Sequence, residues 1–325
     1  MTNEQIRSYQ SVIVSAIKNE PMSKHTSFHI GGPARLYAVA HSSDALWQAV
    51  QAAQKFDIPW YVFGGGTNLL VADAGFDGVM IQAANRGVEI NDTTVKLESG
   101  VITVSAARKI VDAGLAGFEW AVGVPGTIGG AIYGDAGCYG GEMREVITSV
   151  DAYRVADGQR VTLTNQECQF GYRESLFKHE AYVIFGCALH LKEASDQAES
   201  QARLHQVMEK RKADQPQGSS SAGCAFKNFE FQDEKELEIL RRTVDVIPAS
   251  MLRNKRISAG WLIEQANMKG RRVGGVEVSM KHGNFLLTTS TARAQDVVAL
   301  ISLVKMNVRD TLGIELQEEV QYVGF

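Results

Sequence analysis

The sequence lacks several patterns that mark whole classes of protein, and each absence narrows its function. It has no uninterrupted apolar run of membrane-spanning length, so membrane insertion is not expected. It has no basic excess either, since the formal net charge is −4, whereas a nucleic-acid surface normally needs a concentrated positive field. Residues 1–20 mix charged side chains with short apolar runs, unlike a secretory signal, so we expect a cytoplasmic protein.

Patterns for metal binding are also missing. The four cysteines contain no CxxC pair, and the seven histidines form no HExxH array, so no metal site is expected. In a reducing compartment the cysteines should be free thiols. Cys138, Cys168 and Cys187 are predicted to be small buried hydrophobes. Cys224 differs, because small and polar residues surround it in the segment 219–228.

Two glycine-rich turns are present, although neither has the ending of a Walker loop or the spacing of a Rossmann turn. The first is Gly64-Gly65-Gly66-Thr67-Asn68, and the second runs from Gly123 to Gly130. Each directly follows an apolar segment. Residues without a Cβ let consecutive backbone N–H groups converge on an anion, and the two turns could hold a pyrophosphate from opposite sides. The alternative is that both are tight turns in a crowded fold.

At 325 residues the chain is too long for one ordinary core, so two or three domains are expected. The segment Gln215 to Ser221, with its Pro and Gly, is predicted to be a linker or domain edge. Helices are predicted at 3–18, 43–56, 103–113, 194–212, 259–266 and 294–312. Strands are predicted at 34–39, 59–63, 79–81, 88–90, 94–97, 146–155, 160–164, 182–191, 275–276, 285–287 and 318–322.

Five segments resemble motifs of the UDP-N-acetylenolpyruvoylglucosamine reductase family. Thr26 to Ala34, Gly64 to Leu70 and Gly123 to Ala131 are similar to its FAD-binding segments. Gly171-Tyr172-Arg173-Glu174-Ser175 and Ser221 to Asn228 resemble its active-site motifs. The resemblance continues to Glu319-Val320 in the family's order and spans nearly the whole chain. The short spacing between Tyr172 and Cys224 resembles the shorter, type II form.

The resemblance implies an enzyme of peptidoglycan precursor synthesis. NADPH would reduce a non-covalent FAD, and the reduced flavin would convert UDP-N-acetylglucosamine enolpyruvate to UDP-N-acetylmuramate. The implied partners are therefore small molecules, a UDP-sugar and NADPH. The implied fold class is a three-domain α+β/α/β protein. It has a two-subdomain FAD-binding module of the PCMH type, similar to vanillyl-alcohol oxidase (1–84 plus 313–325, and 85–213). An α/β substrate-binding domain follows at 214–312.

The resemblance also implies roles for individual residues. Arg173 would stabilise negative charge that spreads toward the substrate carboxylate, because a guanidinium is always charged and binds carboxylates in a fork. Glu319 would be a second stabiliser, as a protonated carboxyl group kept neutral by an apolar site, with Glu318 beside it as the alternative in register. The implied substrate-binding residues are Tyr172, Lys227 and Asn228. The implied cofactor-binding residues are Thr26, Gly31, Gly64, Gly65, Gly66, Thr67, Asn68, Leu69, Gly123, Val124, Pro125, Gly126, Gly129, Gly130, Ala131 and Arg211.

Cys224 stands where the family usually has serine. A thiol is more acidic than an aliphatic alcohol, so Cys224 is a chemically sensible general acid for the carbon next to the site of hydride addition. Our hypothesis is that Cys224 donates this proton.

Four further positions depart from the family pattern: Asp135, Asp214, Phe229 and Thr288. Asp135 replaces a frequent Asn, Asp214 a common lysine, Phe229 the usual Pro and Thr288 a frequent Asn. The changes at Asp214, where a cation is missing, and at Thr288 leave a second interpretation open, a diverged flavin reductase acting on another UDP-sugar or carboxylate. A third is a non-catalytic flavin-binding partner protein.

Overall fold

The computed structural model describes all 325 residues of the chain. They form two compact units. Unit 1 comprises Met1–Glu20, Ala34–Gly65 and Phe76–Ala213, and unit 2 comprises Pro21–Pro33, Gly66–Gly75 and Asp214–Phe325. Residues 214–312 and 313–325 therefore lie in the same unit, and the three-domain division stays a prediction.

The elements are numbered along the chain. The helices are α1 Asn3–Val12, α2 Ser43–Lys55, α3 Thr103–Asp112, α4 Ile128–Tyr133, α5 Gln197–Asp214, α6 Glu238–Thr243, α7 Ala249–Arg253, α8 Ala259–Gln265 and α9 Ala294–Leu312. The strands up to residue 100 are β1 Ile17–Pro21, β2 Pro33–Ala40, β3 Trp60–Phe63, β4 Leu69–Val71, β5 Phe76–Ala83, β6 Val88–Asn91 and β7 Thr94–Glu98. The later strands are β8 Leu115–Ala116, β9 Gly137–Cys138, β10 Gly141–Glu142, β11 Ile147–Arg154, β12 Gln159–Thr164, β13 Tyr182–His190, β14 Lys192–Glu193, β15 Phe229–Glu230, β16 Arg256–Ile257, β17 Arg272–Val273, β18 Val276–Val278, β19 Leu286–Thr288 and β20 Gln321–Val323.

Unit 1 is built on two sheets. The first has the strand order β1-β2-β5-β3, and β5 pairs in parallel with both β2 and β3. The second has the order β12-β11-β13-β7-β6 and is antiparallel throughout. Helix α2 begins at a Ser42 cap, whose hydroxyl accepts from the Ala45 amide, and its apolar stripe packs in the core of the first sheet. Helices α3 and α4 pack in the core of the second.

Unit 2 is organised around helix α9. Its buried stripe, which includes Val297, Leu300 and Val304, belongs to one core with residues from β18 and α8. The antiparallel sheet β17-β18-β19 and the parallel pair β20–β4 supply the extended segments. Gly313 ends α9 in a left-handed conformation (φ 70°) that L side chains rarely adopt. None of the helices is long and apolar enough to span a membrane.

Most predicted elements are present within a few residues of their expected ends, and two predictions were wrong in extent. The opening helix ends at Val12, and residues 17–21 form β1 instead of its last turns. Helix α5 begins at Gln197, later than the predicted residue 194. The elements that were not predicted from the sequence are all short: α4, α6, α7, β4, β8, β9, β10, β14, β15, β16 and β17. Short elements carry too little periodicity to stand out from turns.

Candidate active site

The two glycine-rich turns meet within unit 1 at Gly64 and Thr127. A Cβ placed on Gly64 would lie 2.0 Å from the Thr127 Oγ1 atom, so any side chain at position 64 would clash. The Thr127 hydroxyl is buried and has no hydrogen-bond partner in the protein. An unpaired buried hydroxyl costs free energy unless a bound group satisfies it. The two features together fit a ligand with polar atoms held against both turns.

The second turn uses some of its backbone groups to hold itself in place. The amides of Ile128 and Gly129 donate to the carbonyl oxygens of Val101 and Ser99, at 2.9 and 2.8 Å. Arg211 on α5 donates from Nη1 to the Gly123 carbonyl oxygen at 2.6 Å. The turn is therefore a braced structure, and Gly129 allows close packing on Ser99. Its exposed or half-exposed members are Pro125, Gly126, Gly129 and Gly130, whereas Gly123, Val124 and Ala131 are buried.

The first motif, Thr26 to Ala34, contacts the glycine turn within unit 2. The Ser27 amide donates to the Gly66 carbonyl oxygen at 3.0 Å. Gly66 has a left-handed φ of 61°, and a Cβ there would lie 1.9 Å from the His25 carbonyl oxygen. Only glycine fits this position. Thr26 is buried and donates its hydroxyl to the Ile30 carbonyl oxygen at 2.8 Å, which closes the motif on itself.

Four other predicted cofactor residues take ordinary places around these turns. Gly65 is exposed at the tip of the first turn, and Thr67 is half-buried beside it. Leu69 is buried in β4, opposite Gln321 of β20. Gly31, with φ 127°, packs against Val71.

Arg173 lies at the tip of a tight turn in unit 1. Gly171 and Glu174 exchange both backbone hydrogen bonds, at 3.0 and 2.9 Å, so Tyr172 and Arg173 form the turn between them. Arg173 has a left-handed φ of 55°, and its carbonyl oxygen accepts from the Lys178 Nζ at 2.6 Å. Its guanidinium lies 5.2 Å from the centre of the Tyr172 ring, within reach of a cation–π interaction.

The guanidinium of Arg173 is oriented by the main chain of a neighbouring segment. Nη1 donates to the Asp135 carbonyl oxygen at 3.2 Å, and Nη2 donates to the Gly137 carbonyl oxygen at 2.9 Å. The Asp135 side chain is fully buried, and burial raises the pKa of its carboxyl to about 6. The Arg144 amide and guanidinium act in the opposite direction but do not cancel the effect of burial.

Cys224 lies on an extended segment of unit 2 that Asn284 braces. Cys224 forms an antiparallel bridge with Phe285, and the Ala225 amide donates to the Asn284 carbonyl oxygen at 2.8 Å. The Asn284 side chain completes the brace: Oδ1 accepts from the Phe226 amide at 2.9 Å, and Nδ2 donates to the Phe226 carbonyl oxygen at 2.8 Å. The segment is thereby held rigidly, while Cys224 itself is half-buried.

Glu319 lies on the other side of the same segment. Its amide donates to the Ala225 carbonyl oxygen at 2.8 Å, and its own carbonyl oxygen accepts from the Asn68 Nδ2 at 2.9 Å. Glu318 is paired elsewhere: its carboxylate accepts from the Lys305 Nζ at 2.6 Å and from the Tyr322 hydroxyl. Glu318 also borders the Cys224 segment, through an antiparallel bridge with Phe226.

The remaining predicted residues of unit 2 have structural partners. The Asn228 Oδ1 accepts from the Ala259 amide at 3.0 Å, at the beginning of α8. The Lys227 amide donates to the Gln317 carbonyl oxygen at 2.8 Å, beside Glu318. The Thr288 hydroxyl donates to the Phe28 carbonyl oxygen at 2.7 Å, and Phe229 pairs with Ile257 between β15 and β16. Asp214 is the exposed last residue of α5.

Cys168 and Cys187 are buried as predicted, whereas Cys138 is only half-buried, so the prediction of a buried thiol was wrong at that position. Burial raises the pKa of Cys138 to about 11 and that of Cys168 to about 12, and it also raises the pKa of Cys187. The Cys138 thiol donates to the Trp120 carbonyl oxygen at 3.2 Å. No group of three or more His, Cys, Asp or Glu side chains is placed to hold a metal ion.

Two residues of the candidate site were missed from the sequence. Thr127 lies inside the second glycine turn, and a hydroxyl between two glycines was the available signal. Asn284 gave no signal, because its role depends on a contact with Phe226, 58 residues away. Cys224, Glu319 and Asn68 are brought together in unit 2, and Gly64, Thr127, Gly123 and Arg211 belong to unit 1, as does Arg173.

Comparison with known proteins gives consistent matches along the chain. Residues 215–323 match the model of the UDP-N-acetylenolpyruvoylglucosamine reductase C-terminal domain, and residues 34–164 match that of an FAD binding domain. The chain is 35% identical over 313 residues to UDP-N-acetylenolpyruvoylglucosamine reductase of Solibacter usitatus, covering 94% of this chain and 95% of the relative. The corresponding protein of Syntrophomonas wolfei is 35% identical over 310 residues and covers 94% of each chain.

A solved structure extends the similarity to three dimensions. The crystal structure of UDP-N-acetylenolpyruvylglucosamine reductase from Thermus caldophilus superposes with a TM-score of 0.73 at 29% sequence identity. The superposition covers 95% of this chain and 98% of the other. The similarity therefore includes nearly the full length of both proteins.

Proposed function

The chain belongs to the UDP-N-acetylenolpyruvoylglucosamine reductase family, and we propose that it reduces UDP-N-acetylglucosamine enolpyruvate to UDP-N-acetylmuramate. FAD is the cofactor and NADPH the reductant. The FAD-binding fold of the PCMH type and the family resemblance, both predicted from motifs, are confirmed. The reaction supplies a precursor of peptidoglycan, and we propose that it takes place in the cytoplasm.

The residues of the glycine turns fit the flavin cofactor. Gly64 lets the first turn pack directly against the Thr127 side chain, and the unpaired Thr127 hydroxyl offers a buried donor for a phosphate or ribose oxygen. We assign cofactor binding to the two turns, with Arg211 holding the second turn through the Gly123 carbonyl. When bound, the flavin supplies the hydride, and the protein supplies orientation, charge stabilisation and the proton.

The observation that carries the proposed chemistry is the backbone hydrogen bond between Glu319 and Ala225, the residue after Cys224. It places the main chain of Glu319 beside the residue that follows the thiol, so Cys224 and Glu319 lie on adjacent extended segments. We propose that the Cys224 thiol donates a proton to the substrate carbon, and that Glu319, with its carboxyl group protonated, stabilises the negative charge that develops before this transfer.

A second residue proposed to stabilise negative charge, Arg173, lies in unit 1. Two of its nitrogens bind main-chain oxygens, so the guanidinium is held in one orientation before any substrate arrives. Such preorganisation is what makes electrostatic stabilisation effective, because no reorganisation is needed during the reaction. We propose that Arg173 stabilises the charge that spreads toward the substrate carboxylate.

The test is an anaerobic absorbance titration of the purified, FAD-containing protein. NADPH is expected to bleach the flavin bands, and stoichiometric UDP-N-acetylglucosamine enolpyruvate is expected to restore them. UDP-N-acetylglucosamine without the enolpyruvyl group is the matched control and should leave the flavin reduced. Bleaching without recovery would instead favour a diverged reductase with another substrate. A flavin that NADPH does not bleach would favour a non-catalytic flavin-binding protein.

A further inference from the structure

The loop that orients Arg173 is itself held by a buried side chain. The two carbonyl oxygens that accept from Arg173 belong to Asp135 and Gly137, so the direction of the guanidinium depends on the conformation of this three-residue segment. Both acceptors are main-chain atoms. No substitution of a side chain at these positions removes them directly, but a change in the backbone would move them.

The Asp135 side chain fixes that backbone. It is fully buried, and its Oδ1 accepts from the Arg144 amide at 2.9 Å, which ties residue 135 to the 3-10 helix Met143–Glu145. Asp135 also has a left-handed φ of 38°, a conformation that costs free energy for a residue with a Cβ. A strained residue persists only where its surroundings hold it, and the Arg144 amide is such a restraint.

We propose that Asp135 is a positioning residue for the reductase reaction: its side-chain oxygen holds the 135–137 segment so that Arg173 points in one direction. The inference rests on the proposed role of Arg173.

The acceptor oxygen, and not the negative charge, is the part of Asp135 that this role requires. Burial disfavours the ionised form, which raises the pKa of the carboxyl to about 6. Three charged groups also shift the pKa of this carboxyl group. Arg144, whose Nε lies 3.6 Å from Oδ2, and Arg173 lower it, and Glu142, which pairs with Arg144, raises it. An amide in place of the carboxyl keeps Oδ1 as an acceptor and removes the buried charge.

Three substitutions separate these properties. Asp135→Asn keeps the acceptor, Asp135→Ala removes it and keeps a Cβ, and Asp135→Gly removes it and relieves the left-handed strain. We expect Asp135→Asn to reoxidise the reduced flavin with substrate within about 3-fold of the parent rate. We expect both variants without an acceptor to reoxidise the flavin more slowly, by about 10-fold or more, because a misplaced Arg173 guanidinium no longer stabilises the transition state.

Two readouts distinguish positioning from a merely structural role. Flavin content and the rate of flavin reduction by NADPH should stay within about 2-fold of the parent, because Arg173 is not assigned to that half-reaction. Hydrogen exchange of the 135–145 amides should rise in Asp135→Ala and Asp135→Gly but not in Asp135→Asn. Equal losses in both half-reactions, or unchanged reoxidation in the variants without an acceptor, would overturn the inference.

A double-mutant cycle tests whether Asp135 acts through Arg173. In single-turnover reoxidation, Asp135→Gly should cause no further loss when Arg173→Ala is already present. Independent, multiplicative losses would contradict the inference. If Asp135→Ala fails to fold, Asp135→Gly can be compared with Asp135→Asn in its place. If both variants without an acceptor misfold while Asp135→Asn folds, Asp135 has a structural role and the inference is wrong. A parent protein that substrate cannot reoxidise would reject the proposed function and not this inference alone.

Discussion

The Glu319 amide donates a 2.8 Å hydrogen bond to the Ala225 carbonyl oxygen, so the C-terminal segment of the chain lies directly beside the residue that follows Cys224. Ala225 is almost fully buried, which shields the hydrogen bond from competing water. The positions of Glu319 and Cys224 are therefore coupled through one short stretch of backbone, although they are 95 residues apart in sequence (319 − 224).

Replacing Cys224 tests the proposed proton donor. Cys224→Ala is expected to slow reoxidation of the reduced flavin by substrate by about 10²- to 10⁴-fold, the usual contribution of a positioned general acid. Reduction by NADPH should be unchanged, because no proton donor at this position is needed for it. Stopped-flow absorbance of the two half-reactions measures both rates.

Cys224→Ser is the matched control for this prediction, because it keeps a donor of similar size. It should retain measurable reoxidation, faster than Cys224→Ala. Reoxidation of Cys224→Ala at close to the parent rate would show that the proton comes from elsewhere.

Gly64→Ala tests the contact between the two glycine turns. The new Cβ would lie 2.0 Å from the Thr127 Oγ1, so the turns must separate, and we expect FAD affinity to fall by about 10-fold or more. Flavin absorbance per protein and fluorescence titration of the apoprotein with FAD measure the loss.

Gly134→Ala supplies the comparison, since its Cβ would have a nearest neighbour at 3.7 Å, an ordinary contact. Parental FAD affinity in Gly64→Ala would refute a tight cradle at this point.

The raised pKa of Asp135 predicts a pH-dependent effect of Asp135→Asn on stability. The carboxyl pKa is about 6 in the folded protein against an ordinary value of 3.8, so the folded state binds the proton more tightly. The parent therefore loses stability relative to Asp135→Asn as pH rises from about 4 to about 6, and the difference is constant above that window. The change should be on the order of 2 kcal/mol.

Urea unfolding of both proteins at a series of pH values between these limits checks the sign. Contributions from all other titrating groups are common to the two proteins and cancel in the difference. A stability difference that does not change with pH, or that shrinks as pH rises, would contradict the raised pKa.

Asn284→Asp tests the brace of the Cys224 segment. The new carboxylate still accepts from the Phe226 amide. Its second oxygen, however, faces the Phe226 carbonyl oxygen, to which the Asn284 Nδ2 donates at 2.8 Å in the parent protein. Because the site is buried, we expect a loss of about 2–4 kcal/mol in the free energy of unfolding. Asn254→Asp, the same change at an exposed position, should cost less than about 0.5 kcal/mol. Equal effects would show that Asn284 is not a brace.

Long elements and the family motifs were predictable because their signals are local. Helix α9 shows a regular apolar stripe and ends at a glycine, and β11 and β12 flank an Asp157-Gly158 turn in a paired register. The motif residues are likewise adjacent in sequence, so their order along the chain was enough to indicate an FAD-dependent reductase. Helix α4 was not predictable, since Gly129 and Gly130 lie within it and glycine normally weakens helices.

The sequence by itself determined the residue types of the proposed chemistry: a thiol at Cys224, a guanidinium at Arg173 and glycines where backbone must approach closely. Only the tertiary structure showed that Lys305 and Tyr322 engage the Glu318 carboxylate. It alone revealed the Asp135 support of Arg173 and the Asn284 brace. These depend on hydrogen bonds between residues distant in sequence, whose partners are set by packing and leave no local pattern.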